Sequence, residues 1–209
     1  MTMFINRFDA AEKLAKKLRA YKNKNDVVIL AIPRGALQIG YVLSKELNAP
    51  LEVMFTKKIG APGQGEFAIG AVGFEHEYIE PQYKTFFNEY IQKKSEEIRK
   101  LLKERYAQYK GNKPPLALKN KIVIVTDDGV ATGKTLLLTL QIIKSYQPKK
   151  IVVAVPVGPR NVINQIKKEV DEVVCLERPD TFLSISQFYH DFAQVEDDEA
   201  ISLLHKANR

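Results

Sequence analysis

The stretch from Lys121 to Tyr146 reads KIVIVTDDGVATGKTLLLTLQIIKSY. Two adjacent acids, Asp127 and Asp128, follow an apolar run. A small-residue turn from Gly129 to Gly133 comes next, and then a helical pattern. Neighbouring carboxylates accept hydrogen bonds from ribose hydroxyls. A glycine-containing turn that opens a helix offers backbone N–H groups and a positive dipole end to a phosphate. Together they describe a site for a sugar that carries phosphate. Asp128 or Thr132 could instead be a helix N-cap on an ordinary strand–helix connection. A cap does not explain two acids followed by TGKT.

A nucleotide triphosphate loop is the rival chemistry, because Gly133-Lys134-Thr135 fits the end of G-x-x-x-x-G-K-[ST]. The first glycine of that motif would fall at Asp128, and Gly129 is one residue too late. Two carboxylates at the mouth of a triphosphate cradle would also repel the phosphates. That reading is set aside.

Two other clusters carry charge beside small residues. Pro33-Arg34-Gly35 ends the apolar run VVILAI, and Lys57-Lys58 follows LEVMFT. Gly35 lets backbone approach an anion and Arg34 can chelate phosphate oxygens. Each cluster alone is equally well read as a turn or as solvated charge at a strand end.

These residues need elements to hold them. VVILAI (Val27–Ile32), IVIVT (Ile122–Thr126) and IVVAVPV (Ile151–Val157) are apolar at nearly every position, which suits strands covered on both faces in a parallel sheet. LEVMFT (Leu51–Thr56) and VVCL (Val173–Leu176) read as further strands. Helical patterns run over Asp9–Tyr21 with a cap from Asp9 and Glu12, and over Ala36–Leu47, Tyr83–Tyr109, Gly133–Tyr146 and Asn161–Val170. KIGAPGQGE (Lys58–Glu66) reads as a mobile loop and Ala68–Glu80 as a short hairpin. The expected class is α/β, a parallel sheet flanked by helices. In such a sheet ligands bind at the carboxyl ends of the strands, so Arg34, Lys57/Lys58 and the acid pair are expected at one crevice.

At 209 residues and 45% hydrophobic composition the chain is expected to be a single domain, 1–209. Its one cysteine excludes a disulfide framework, and Cys175 in EVVCLE reads as a buried core thiol. The N-terminus lacks a signal-peptide core and no apolar stretch could span a bilayer, so a soluble, cytoplasmic protein with no membrane partner is expected. Net charge is +7. The basic residues of the long helix, among them Lys93, Lys94, Arg99, Lys100 and Lys103, are interleaved with Glu96, Glu97 and Glu104. That is a solvated mixed-sign face, and a nucleic-acid partner is not expected.

The stretch TDDGVATGKT resembles the PRPP-binding motif of the type I phosphoribosyltransferases, aligning without a gap from Asp127 through Ala131, Thr132, Gly133 and Lys134 to Thr135. The likeness extends through FDAAEKLAKKL, IPRGALQIG, KKIGAPGQGEFAIGAV and AVPVGP to a group of bacterial phosphoribosyltransferase-like proteins whose acceptor it does not settle. The resemblance implies that fold, with a flexible loop and hairpin at 57–80 and a hood and C-terminal helix at 177–209. It implies binding of 5-phosphoribosyl 1-pyrophosphate (PRPP) with Mg²⁺, and phosphoribosyl transfer to an unidentified base or similar acceptor with release of pyrophosphate. A PRPP-sensing regulator on the same fold is the alternative, and a homodimer is compatible with either. By the same resemblance, the turn Ala131, Thr132, Gly133, Lys134 and Thr135 takes the 5-phosphate, and Gly129 and Val130 before it also meet the substrate. Asp127 and Asp128 take the ribose hydroxyls and a Mg²⁺ through water. Pro33, Arg34, Gly35, Lys57 and Lys58 meet the pyrophosphate. Ala131 stands where 6-oxopurine enzymes carry a purine-binding aspartate, which argues against hypoxanthine or guanine. The hood would be the aromatic tail around Phe182, Phe188, Tyr189, His190, Asp191 and Phe192. Its rings either fill the core beneath a loop, the preferred reading, or stack on a base through Tyr189 or Phe192. His190 reads as a surface histidine.

Overall fold

The computed structural model describes residues 3–209. The chain divides into two compact units. One comprises Met1–Met54, Pro115–Gly133 and Pro148–Arg209, and the other Phe55–Pro114 and Lys134–Gln147.

The first unit is built on a five-stranded, wholly parallel sheet. Its strands are β1 (Val27–Ala31), β2 (Leu51–Val53), β6 (Ile122–Thr126), β7 (Lys150–Val157) and β8 (Glu172–Glu177), in the order β2-β1-β6-β7-β8. Every residue of β1 and β6 is buried, as the unbroken apolar runs require. Helices α1 (Arg7–Lys17), α2 (Ala36–Leu47), α6 (Arg160–Ile166) and α7 (Asp197–Ala207) complete this unit. α1 packs on α2, β7 and β8, while α7 packs on α2 and β2. The chain leaves β1 through α2 to reach β2 on one side, and β6 lies on the other. The gap between the carboxyl ends of β1 and β6 is therefore the topological switch point, where open α/β sheets bind ligands.

The N-terminal helix starts earlier than its apolar periodicity suggests. Its cap is Asn6, whose side chain accepts from the Asp9 N–H at 3.1 Å, and not Asp9 itself. A 3-10 turn, Arg19–Tyr21, ends it. β2 stops at Val53, α5 covers Lys134–Ser145 and α6 covers only Arg160–Ile166, whereas β8 is one residue longer at each end than expected. Cys175 is half-buried, not sealed in the core. Its Sγ lies 3.1 Å from the Glu177 carbonyl, and burial pushes the thiol up to about 11.

The second unit holds a three-stranded antiparallel sheet of β3 (Lys57–Ala61), β4 (Gln64–Val72) and β5 (Glu77–Ile79), with α3 (Pro81–Lys84), α4 (Asn88–Lys110) and α5. The segment expected as a loop, Lys58–Glu66, is largely strand. Main-chain pairing needs no particular side chains, and Gly63 at φ +70° closes the turn. The long helical pattern is split at Thr85–Phe87, where Phe87 leaves helical geometry at φ −122°, ψ 25°. Ile91, Ile98, Leu102 and Tyr106 are buried along α4 as the stripe predicts, but Leu101 is half exposed. Among the described residues no helix is long and apolar enough to cross a membrane.

Candidate functional site

β1 and β6 are neighbours in register, with Ala31 opposite Thr126. Their exits therefore bring Pro33-Arg34-Gly35 and Asp127-Asp128 together. Thr126 ends β6 fully buried, its hydroxyl donating to the Ala154 carbonyl at 2.8 Å, so the strand is fixed up to the acid pair. The Asp128 N–H donates to Asp127 Oδ1 at 2.8 Å, which fixes the first carboxylate. Arg7 Nε donates to Asp128 Oδ2 at 2.8 Å, which fixes the second. Each acid thus spends one oxygen on the scaffold. Its other oxygen has no hydrogen-bond partner among the described residues.

Burial holds the Asp127 carboxyl well above the usual carboxylate range, and the neighbouring Asp128 charge adds to this. Burial raises Asp128 too, while the Arg7 guanidinium opposes the shift. The pair is thus short of positive charge. Hydroxyl donors or a cation would relieve it.

Beyond the acids the chain turns through Gly129 to Gly133. Val130 N–H bonds the Val157 carbonyl at 2.8 Å, which pins the start of the turn. A Cβ on Gly129 would lie 2.7 Å from Ile185 Cγ2, so the tail packs directly on this backbone. Ala131 and Thr132 are exposed. The N–H groups of Ala131, Thr132 and Gly133 have no acceptor among the described residues. Gly133 sits at φ +73°, a conformation that L side chains resist. These free amides are what a phosphate monoester needs.

At the exit of β1 the Pro33-Arg34 peptide is cis. Arg34 Nη1 reaches Glu196 Oε2 at 3.1 Å, an ion pair open to solvent. Gly35 is essential for a reason the sequence hides. A Cβ there would stand 2.1 Å from Asp128 Oδ2 and 2.9 Å from Arg7 Nε. A cavity of about 380 Å³ opens here, lined by Arg7, Arg34, Gly35, Phe192, Gln194 and Val195.

The tail differs in role from a base-stacking hood. Phe188 and Tyr189 are buried with Phe4, Ala10 and Val157, and Phe182, Ile185 and Phe192 pack against them. Tyr189 is 5% exposed and its hydroxyl donates to the Asp128 carbonyl at 2.7 Å. It has no free face for a base and instead braces the acid pair, which corrects the stacking expectation for this ring. The guanidinium of Arg7 lies 3.8 Å from the Phe192 ring centroid and covers that ring. His190 is exposed, as expected.

Lys57 and Lys58 are not at the end of β2. They open β3 in the second unit, both exposed, with Lys58 Nζ paired to Glu66 at 2.9 Å. Lys134 and Thr135, also in that unit, begin α5 and are exposed. The residue that sequence reasoning missed is Arg7. It stands 121 residues from its partner, in a run of helix-forming charges, and nothing local marks it.

For a metal, the described residues contain no group of three or more His, Cys, Asp or Glu able to hold an ion. The free oxygens of Asp127 and Asp128 nevertheless suit Mg²⁺, which keeps several waters and takes the rest of its shell from one or two carboxylates and substrate phosphates.

Residues 5–193 match a family model described as "Phosphoribosyl transferase domain". This chain belongs to that family. The parallel five-stranded sheet described above agrees with that membership. A Mycobacterium tuberculosis protein (strain H37Rv) named "Putative phosphoribosyl transferase Rv0571c" is 32% identical over 213 residues, covering 100% of this chain and 48% of that protein. Its counterpart in strain CDC 1551 matches to the same extent. The chain spans about half the length of these curated relatives. The crystal structure of TT1426 from Thermus thermophilus has a TM-score of 0.89 at 31% identity, covering 100% of both chains.

Proposed function

We propose that this domain binds PRPP with Mg²⁺ and transfers its phosphoribosyl group to a nitrogenous base or similar acceptor, releasing pyrophosphate. The observation that carries the reading is the acid pair at the β1/β6 switch point, with one free oxygen on each carboxylate and free amides on the turn beyond.

The free oxygens of Asp127 and Asp128 accept from the two ribose hydroxyls. The amides of Ala131, Thr132 and Gly133, with Lys134 and Thr135 at the start of α5, take the 5-phosphate. Arg34 exchanges Glu196 for the pyrophosphate. Bound Mg²⁺ would neutralise the leaving group and be steadied through water by the acid pair. The bond from the sugar carbon to pyrophosphate oxygen breaks with its electron pair on the oxygen. A bond to the acceptor nitrogen forms, and the acceptor's proton leaves to solvent. The sugar passes through an oxocarbenium-like state, as in glycoside chemistry. The protein's part is to hold the reactants, stabilise the departing charge and keep water away; no covalent enzyme nucleophile is needed. The reading places the domain in the cytoplasm, in nucleotide metabolism.

The test is pyrophosphate release from PRPP and Mg²⁺ across a panel of bases, with Asp127→Asn/Asp128→Asn as control. Base-dependent release that the control lacks supports transfer. PRPP binding with no release for any acceptor supports the sensor instead.

A further inference from the structure

We infer that Arg7 is a positioning residue that makes the acid pair a reader of a sugar diol and keeps it from binding a bare divalent cation. The inference rests on the reading proposed above. The Arg7 side chain is 6% exposed and that of Asp128 is 15% exposed, so the pair is largely shielded from solvent. Three chain segments converge on it. Arg7 comes from the first residue of α1. Gly35 leaves the space in which Asp128 Oδ2 sits. The tail supplies the Ala193 carbonyl, which accepts from Arg7 Nη1 at 2.8 Å, the Phe192 ring beneath the guanidinium, and the Tyr189 hydroxyl on the Asp128 carbonyl. So much convergence fixes the direction of one carboxylate and sets a positive charge against it.

The electrostatic consequence follows from counting. Whatever protons the pair holds, the Arg7 guanidinium in contact with Asp128 makes the cluster one charge less negative than the two carboxyl groups alone. A hydrated cation seeks the larger charge and a carboxylate free to reorient. A diol is neutral and asks only for acceptor oxygens held still. Arg7 therefore disfavours the first ligand and favours the second. Its second bond, to Ala193, ties the diol site to the docking of the tail.

The test uses the full chain and two probes by calorimetry: Mn²⁺ alone, and ribose 5-phosphate alone. Arg7→Met and Arg7→Gln remove the charge, and the glutamine keeps a donor for Asp128. Removing a full charge roughly 5 Å from a bound ion at an effective dielectric near about 20 changes affinity by at least about tenfold. Both variants are expected to bind Mn²⁺ at least that much more tightly and ribose 5-phosphate more weakly by a similar factor. Arg7→Lys keeps the charge but cannot reproduce the forked pair of bonds. It should leave Mn²⁺ affinity within about twofold of the parent, restore part of the sugar affinity, and lose amide-exchange protection in residues 189–196. A folded Arg7→Gln protein with unchanged Mn²⁺ affinity overturns the inference. So does an Arg7→Gln protein that cannot fold, which would make the residue part of the folding core only. A parent protein that ignores ribose 5-phosphate speaks against the site reading, and the cation arm still decides Arg7.

Discussion

Replacing Gly35 with alanine adds one methyl group, and the structure specifies what it strikes. The backbone of Gly35 is at φ −54°, ψ −34°, which alanine adopts without strain, so the effect must be steric. The new Cβ would lie 2.1 Å from Asp128 Oδ2 and 2.9 Å from Arg7 Nε. The carboxylate cannot rotate away without leaving Arg7. Overpacking a filled site costs roughly 1–3 kcal/mol, and separating a buried ion pair costs roughly 3–5. Partial movement of both groups should cost about 2–4 kcal/mol, a large share of the roughly 5–15 kcal/mol that holds a domain together. Urea unfolding followed by circular dichroism reads this as a midpoint lowered by about 1 M or more, for a slope near 2 kcal/mol/M. Gly65→Ala is the comparison. Its Cβ meets nothing within 4 Å and its φ is not positive, so it should change stability by less than about 0.5 kcal/mol. In an Asp128→Ala background the struck oxygen is gone, and the Gly35→Ala cost should fall below about 1 kcal/mol. Gly35→Ala unfolding within about 0.5 kcal/mol of the parent would refute the claim that this turn is packed against the acid pair.

Two further outcomes follow from the same geometry. Tyr189→Phe removes the donor to the part-buried Asp128 carbonyl and should cost about 1–2 kcal/mol in the same urea assay. Asp127 has a raised folded pKa, so the folded state holds its proton where the unfolded chain releases it. Stability from this group is therefore lost as pH rises from the unfolded pKa through the folded one. Asp127→Asn should stabilise the ligand-free protein at pH 7, and the gain over the parent should vanish below about pH 3, where both states of the parent are protonated. A gain independent of pH would contradict the buried-charge account.

The parts of the site legible in the sequence are those whose chemistry is local. Asp127, Asp128 and the turn to Gly133 follow one another behind a strand whose unbroken apolar run identifies a buried parallel position. The pairing of that strand with β1 brings Arg34 and Gly35 alongside, which follows once the sheet is parallel and right-handed. What could not be read is what depends on distant contact. Arg7 and Asp128 are 121 residues apart, and Tyr189 reaches the same aspartate across 61. A ring that braces a carbonyl and a ring that stacks on a base have the same residue type, so only burial separates them. β3 and β4 were obscured because Gly60, Pro62, Gly63 and Gly65 lower β propensity while leaving main-chain pairing intact. The break at Thr85–Phe87 was obscured because the apolar stripe runs on past it.

The central claim is most directly tested by a crystal of the protein with PRPP and Mg²⁺. The account predicts the ribose hydroxyls within hydrogen-bond distance of Asp127 and Asp128 and the 5-phosphate on the N–H groups of Ala131 to Gly133. A bound sugar diphosphate lying elsewhere, with Asp127 directed into protein and that turn without a phosphate, would contradict it.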